Sequence, residues 1–241
     1  MVTKNKKSIW RKIGKFLFIL WAMNLSYIIL TRWIDPPITM VMLGAWVKGY
    51  GLQRDYIKYE EMGQACKLAV ICAEDQRFTE HYGFDVDAIQ KAIEYNQDST
   101  HKIQRGASTI SQQTAKNVFL WNGRNWVRKG LEVYHTAMIE LIWGKKRILE
   151  NYLNVAEMGK GIFGIEVAAK HYFNKSAKEL SKREAAWIAV ILPNPVKFSI
   201  DKPSPRLIRR HNWILRQMNN LSTNPEIQAL LETNSHVKKS K

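Results

Sequence analysis

From about residue 60 onward the apolar positions recur at helical spacing, and no long alternating run marks a strand. The pattern predicts a largely apolar helix over Met62–Ala73 that delivers Glu74 at its C-terminal part. The polar stretch 97–105 breaks the periodicity and reads as a loop or flap. Gly106 then lets the backbone turn, and Thr109 with Gln112 fits a capping box that opens a helix running to about Phe119. A turn over Trp121–Trp126 leads into a longer helix, Trp126–Trp143, with Leu131, Tyr134, Met138, Leu141 and Ile142 expected on its buried side. Gly144 interrupts that helix, and Ile148, Leu149, Tyr152 and Leu153 repeat the apolar pattern in the next. Gly159, Gly161 and Gly164 make a turn before a helix over Ile165–Phe173. Ser181 with Glu184 is a second capping box, and its helix must stop at Pro193. An amphipathic helix over Arg206–Asn220 and a short one begun by Asn224-Pro225 complete a mostly α body, and the tail from Thr233 is expected to be disordered.

The N-terminus follows a different pattern. The run Phe16–Thr31 is apolar apart from Asn24, Ser26 and Thr31, and it is apolar around its whole circumference. With Ile13, Trp33 and Ile34, and with Lys15 and Arg32 reaching out to the headgroups, it attains the ~20 residues of a bilayer span. Six basic residues precede it, which sets the N-terminus on the cytoplasmic side and the rest of the chain across the membrane. No small-x-small cleavage site follows convincingly, so an uncleaved anchor is preferred to a signal peptide. Asp35-Pro36-Pro37 cannot continue a helix and reads as a stalk, with the folded body beginning near Ala45 or later.

A chain of 241 residues, 46% apolar, can bury one substantial core or one core with a small lobe. The formal net charge is +16, and Met1–Ile34 carries seven basic residues and no acid, so the remainder is basic as well. Such a surface suits an anionic partner, whether phospholipid, lipid pyrophosphate or nucleic acid, although a solubilising excess gives the same balance. Cys66 and Cys72 lie six apart in a predicted helix, about 9 Å at 1.5 Å per residue. That is too far for a disulfide, so both are expected as buried small hydrophobes, and no Cys/His set suggests structural zinc.

If the helix carrying Glu74 continues through His81, then Glu74, Phe78 and His81 share a face at i, i+4 and i+7. A carboxylate beside a ring and an imidazole can act as a general base, because partial desolvation raises its pKa. Glu-Asp at a helix end is, however, commonly no more than a solvated pair. Thr109, Gln113 and Lys116 share another face, with Asn117 beside them; free backbone N–H groups near Ser108 suit a phosphate, and Lys116 adds a point charge. Taken alone this is also an ordinary polar helix surface. Arg124, Arg128, Lys129 and Glu132 cluster on about two turns, either as intrahelical ion pairs of ~0.5 kcal/mol or less, or as a cationic cradle for a pyrophosphate. Ser99-x-x-Lys102 and Ser235-x-x-Lys238 match a penicillin-binding serine pattern by chance, without a Lys-Thr-Gly partner. No P-loop, Rossmann fingerprint or His-Glu-x-x-His is present.

Five blocks in order, Glu74–Gly83, Gly106–Asn117, Arg128–Asn154, Gly161–Phe173 and Leu180–Pro195, resemble the peptidoglycan glycosyltransferases (glycosyltransferase family 51), which polymerise lipid II. The resemblance spans about Ala65–Ser199. It implies a lysozyme-like helical catalytic lobe with a smaller membrane-associated jaw lobe, and the substrate groove between them. Together with the patterning along the chain, this divides it into residues 1–34, a basic tail and transmembrane anchor, 35–59, a stalk and entry segment, 60–221, the catalytic domain, and 222–241, a short helix and basic tail. By position, Glu74 resembles the base that deprotonates the acceptor's 4-hydroxyl, and Glu132 the second catalytic glutamate on the pyrophosphate side. Gln113, Lys116, Arg124, Arg128 and Lys129 match donor-contacting positions; Phe78, His81, Ser108, Thr109 and Asn117 match the supporting shell. The reaction implied is a single inverting displacement giving β-1,4 glycan and undecaprenyl pyrophosphate. The resemblance is to monofunctional, Gram-negative members, without transpeptidase activity and with the catalytic domain in the periplasm on an inner-membrane anchor. The implied partners are lipid II, the growing strand, membrane phospholipid and cell-wall synthesis or division proteins, with no nucleic acid. No protein metal site is expected; the only cofactor considered is a divalent cation, Mg or Mn, at the pyrophosphate. A lytic transglycosylase or lysozyme-like hydrolase is the alternative enzyme, and a basic membrane-anchored scaffold the non-enzymatic one. Cleavage of neutral glycan has no use for the cationic cluster, and a scaffold has none for a fixed Glu74.

Overall fold

The computed structural model of the chain describes residues 3–98, 104–123 and 125–232, so most of the expected flap over 97–105, Arg124 and the tail from Thr233 lie outside the described residues. The chain divides into two compact units, Met1–Pro36 and the remainder from Pro37.

The first unit is one helix, α1 (Thr3–Leu30), of which Ile9–Leu30, 22 residues with mean hydropathy 1.8, is long and apolar enough to cross a bilayer. At 1.5 Å per residue that stretch spans about 33 Å, slightly more than a hydrocarbon core. Trp10, Phe16, Phe18 and Met23 stand exposed along it. Ser26 folds its hydroxyl back onto the Ala22 carbonyl at 2.9 Å, so a polar side chain in an apolar run is satisfied within the helix itself.

The second unit is almost entirely helical. Its first helix, α2 (Met40–Val47), falls within the stretch read as stalk; Val41, Met42 and Ala45 are buried and Thr39 caps it, so this stretch is part of the packed body. Two residues, Gln53–Arg54, form β1. The next helix, α3 (Gln64–Glu74), is buried along its middle by Cys66, Leu68, Ala69, Val70, Ile71 and Cys72. Both thiols are free and burial pushes each up to about 12, which keeps them protonated and inert, as expected of buried small hydrophobes. There follow α4 (Val86–Gln97), α5 (Ile110–Phe119), α6 (Trp126–Ile142), α7 (Lys145–Val155) and a second short strand, β2 (Ile162–Phe163), parallel to β1 with Gln53 opposite Ile162. The chain then forms α8 (Ile165–Phe173), α9 (Lys182–Ile191), α10 (Pro205–Leu221) and α11 (Pro225–Leu231). Two packing groups result: α3 lies against α9 and α10, and α5 lies against α6 and α7.

Both expected capping boxes form, Thr109 with Gln112 and Ser181 with Glu184. Gly144, with φ +77, separates α6 from α7 as predicted, since only glycine adopts that dihedral cheaply. The inward face of α6 is the main departure. Leu131 is 37% exposed and Leu141 80%, while the residues turned inward are Arg128, Glu132, His135, Thr136 and Ile139. Burial of these polar groups is tolerated because each finds a local partner for at least part of its side chain: Arg128 pairs with Glu132, Thr136 Oγ1 donates to the Glu132 carbonyl at 2.7 Å, and His135 Nδ1 lies 2.8 Å from the Leu131 carbonyl. Periodicity locates an apolar stripe but cannot tell which stripe the neighbouring helices cover.

Gly161 lies in the turn that leads into β2. Its φ is +73, its carbonyl accepts from Gln53 N at 2.9 Å, and a Cβ there would meet Tyr50 O at 2.1 Å. Gly161→Ala is expected to cost on the order of 1–3 kcal/mol from the dihedral alone. The midpoint of thermal unfolding, followed by circular dichroism, should therefore drop by several degrees. An unchanged midpoint would mean that the Tyr50–Gly51 backbone yields freely.

Candidate active site

Helix α3 ends at Glu74. Asp75 is extended, with φ −161 and ψ 80, so the expectation of one helical face from Glu74 through His81 does not hold. The helix stops because the Asp75 carboxylate takes up partners elsewhere: Oδ2 accepts the Ile110 N–H at 3.0 Å, and Oδ1 lies 3.0 Å from His81 Nε2. The Asp75 side chain therefore ties the end of α3 to the start of α5. Two N–H groups of α5's first turn that the sequence offered to a phosphate are thereby taken, that of Ile110 by Asp75 and that of Gln112 by Thr109 Oγ1. A carboxylate already sits where the helix dipole favours an anion.

The result of this tie is a direct contact between the two helices. Gln113 Nε2 donates to Glu74 Oε2 at 3.0 Å, and the Tyr152 hydroxyl on α7 donates to Gln113 Oε1 at 3.3 Å, fixing the orientation of the amide. On the other side, Arg210 Nη2 on α10 lies 3.4 Å from Glu74 Oε1 and donates to the Ala73 carbonyl at 3.2 Å. The Glu74 side chain is only 12% exposed. Burial, helped by the neighbouring Asp75 charge, raises its pKa above the ordinary carboxylate value, against the Gln113 hydrogen bond and the Arg210 and Lys116 charges. A carboxylate with raised proton affinity and an open edge is suited to accept a proton from a hydroxyl.

Lys116 stands one turn beyond Gln113 on α5. No hydrogen bond holds its ammonium among the described residues; burial lowers its pKa, abetted by Arg128, while Glu132, Glu74 and Glu157 raise it. One cation is thus within electrostatic reach of both glutamates singled out from the sequence. On α6, Glu132 Oε2 pairs with Arg128 Nη1 at 2.6 Å and its other oxygen binds the Lys129 ammonium. The ion pairs and the cradle are one arrangement: Glu132 holds both cations, and Arg128 and Lys129 line an open depression of about 290 Å³ with Asn125 and Trp126. Arg128 Nε is buried without a hydrogen-bond partner. Both oxygens of Glu132 are taken by cations, and among the described residues no group of three or more His, Cys, Asp or Glu side chains could hold a metal ion.

The remaining candidates stand behind this surface. Phe78 is fully buried, His81 supports Asp75, and the Thr109 hydroxyl donates to Gly83 O at 2.6 Å. Asn117 is buried on α5, and Ser108 is exposed, its carbonyl 3.5 Å from Gln113 Nε2. Arg124 lies outside the described residues. Four residues were not singled out from the sequence: Asp75, Tyr152, Glu157 and Arg210. Glu157 is half-buried, accepts the Gly161 N–H at 3.2 Å, and has its pKa raised by burial against the charges of Lys48 and Lys116. Asp75, as the neighbour of Glu74, was open to suspicion; Arg210, one of many cations on α10, carried no local signal.

A family model described as transglycosylase matches residues 42–219, which takes in every residue of this site. Proteins called biosynthetic peptidoglycan transglycosylase in Yersinia pestis (strain Pestoides F) and in Yersinia pseudotuberculosis (serotype IB, strain PB1/+) are each 52% identical over 219 residues, covering 88% of this chain and 90% of theirs. With the helical body, the buried glutamate and the cationic cradle all inside the matched span, the chain belongs to the transglycosylase family.

Proposed function

We propose that this protein is a membrane-anchored peptidoglycan glycosyltransferase that polymerises lipid II into β-1,4-linked glycan with inversion and release of undecaprenyl pyrophosphate. The observation that carries the reading is a buried carboxylate, Glu74, held by Gln113 of α5, together with two cations held by Glu132 on α6, the charges of both glutamates acting on Lys116 of α5. It supports one site with a base at one end and a cluster of cations at the other. Glu74 removes the proton of the acceptor N-acetylglucosamine 4-hydroxyl as that oxygen attacks the donor's anomeric carbon. Lys116, Arg128 and Lys129 take up the charge that develops on the departing pyrophosphate, and Glu132 keeps the last two in place. One base and one stabilised leaving group suffice for a single displacement, with no covalent glycosyl-enzyme stage. The protein's own cations meet the pyrophosphate charge, so no metal-dependent step is invoked.

The six basic residues in the first half of α1, ahead of its apolar run from Phe16, support an N-terminus in the cytoplasm and a catalytic body on the far side of an inner membrane, in the periplasm. There the body would meet lipid II, the growing strand, phospholipid and the other proteins of wall synthesis or division.

The test is incubation of the detergent-solubilised protein with labelled lipid II, gel separation and muramidase digestion. Muramidase-sensitive polymer is the expected product. No polymer, but release of fragments from purified sacculi, would move the protein to the lytic class and leave the cations without a task.

A further inference from the structure

A closed ring of polar contacts leaves Glu74 and returns to it. Asp75, its neighbour, pairs with His81 at 3.0 Å, and the His81 carbonyl accepts from Lys145 Nζ at 2.5 Å. The same ammonium lies 2.7 Å from Glu140 Oε1, and that oxygen also accepts the Ser111 hydroxyl at 2.5 Å. Ser111 stands two residues before Gln113, whose amide closes the ring on Glu74 at 3.0 Å. Four elements meet in it: the end of α3, the first turn of α5, the last turns of α6 and the first residue of α7.

The remote half of the ring is built for stiffness. The Glu140 side chain is 6% exposed and that of Lys145 20%, and the Lys145 ammonium also sits 4.6 Å over the Phe78 ring. The loop it grips has no slack at its end: a Cβ on Gly83 would lie 2.7 Å from Thr136 Cγ2 and 3.1 Å from Glu140 Cγ. Thr109 holds the same glycine through its carbonyl at 2.6 Å. Neither Lys145 nor Glu140 hydrogen-bonds Glu74 or the Gln113 amide, and the mechanism above makes no use of either.

We propose that Lys145 and Glu140 are positioning residues for glycosyl transfer, holding the Gln113 amide against the Glu74 carboxylate through the 75–83 loop on one side and α5 on the other. The proposal rests on Glu74 being the base. If the ring is cut at Lys145, the loop carrying Asp75 and the turn carrying Ser111 lose their common anchor, and the Gln113 to Glu74 contact lengthens. The base then loses both orientation and the hydrogen bond that favours its ionised form.

Steady-state kinetics of the full chain in detergent, with lipid II across a pH series and well below the melting midpoint, tests this with Lys145→Met and Lys145→Arg. The methionine variant should lose roughly 10-fold in kcat with KM little changed, as expected when geometry rather than binding is damaged. Its kcat/KM should fall away at a higher pH on the acid side, because the free enzyme's base holds its proton more tightly. Arginine, which can span the His81 carbonyl and Glu140 together, should restore most of both. Should Lys145→Met not fold, Glu140→Gln keeps the shape, removes the charge and carries the same two readouts. A folded variant with parental kcat and an unmoved acid limb, however much its melting midpoint falls, would reduce the ring to a stability element. Full activity of Glu74→Gln overturns the base assignment and this inference with it; a normal Lys145→Met beside an inactive Glu74→Gln overturns the ring alone.

Discussion

Glu74→Gln is expected to lower the rate of polymerisation by roughly 10²–10⁴-fold, the share of a barrier that general base catalysis ordinarily supplies. Glutamine keeps an acceptor for the Gln113 amide, which lies 3.0 Å from the native carboxylate, so the site keeps its shape and loses only its proton acceptor. The fold should not suffer. Burial raises the pKa of Glu74 in the folded state above its unfolded value, so the stability tied to this group is present below the unfolded pKa and is lost as pH rises through the folded one. At neutral pH the ionised carboxylate is therefore a cost that glutamine removes, and the variant's melting midpoint should equal or exceed the parent's. An inactive, well-folded variant fixes Glu74 as the base; near-normal turnover with lipid II would remove it from that role. The acid limb of kcat/KM in the parent should lie above the ordinary glutamate range of about 4.3, for the same reason.

Lys116→Ala is expected to weaken use of the donor by roughly 10–10²-fold, read mainly in KM for lipid II, the scale of one hydrogen bond to a charged group, ~1.5–3 kcal/mol. Here too the free protein bears the cost in advance. Burial and the Arg128 charge lower the pKa of Lys116 in the fold, so the stability tied to it is present above the unfolded pKa and is lost as pH falls through the folded one. At neutral pH the buried ammonium costs stability that a bound pyrophosphate would recover. Alanine should therefore leave the melting midpoint unchanged or slightly higher while KM rises. Arginine should rescue poorly, since a planar fork does not fit the space of a compact ammonium. Unchanged kinetics with lipid II would sink the cradle, and a fall in kcat alone would move Lys116 from binding the donor to assisting the chemistry.

The two substitutions also separate two kinds of buried charge in one site. Desolvation disfavours the charged forms of both Glu74 and Lys116, and each has few direct partners, which is the condition of groups kept ready for a substrate. Glu132 has both oxygens on cations and differs in kind: its loss would leave Arg128, about one-tenth exposed, as a buried and uncompensated charge. Activity lost in a Glu132 variant would mix chemistry with folding, which makes it the weaker probe.

What the sequence by itself determined are the features governed by residues within four positions of one another. The Thr109–Gln112 and Ser181–Glu184 capping boxes, the break at Gly144, the stop of α9 before Pro193 and the apolar run of α1 all follow from local hydrogen bonding, dihedral preference or composition. The ordered blocks pointed in the same way to the family. Only the tertiary structure decided which face of α6 turns inward, that the first turn of α5 is closed by Asp75, and that Arg210 comes from 136 residues away to lie beside Glu74. Each of these depends on which helices pack together and on which polar groups then find partners, and neither is encoded in the spacing of a single helix. Local chemistry makes the elements; the site arises where buried charges must be satisfied across them.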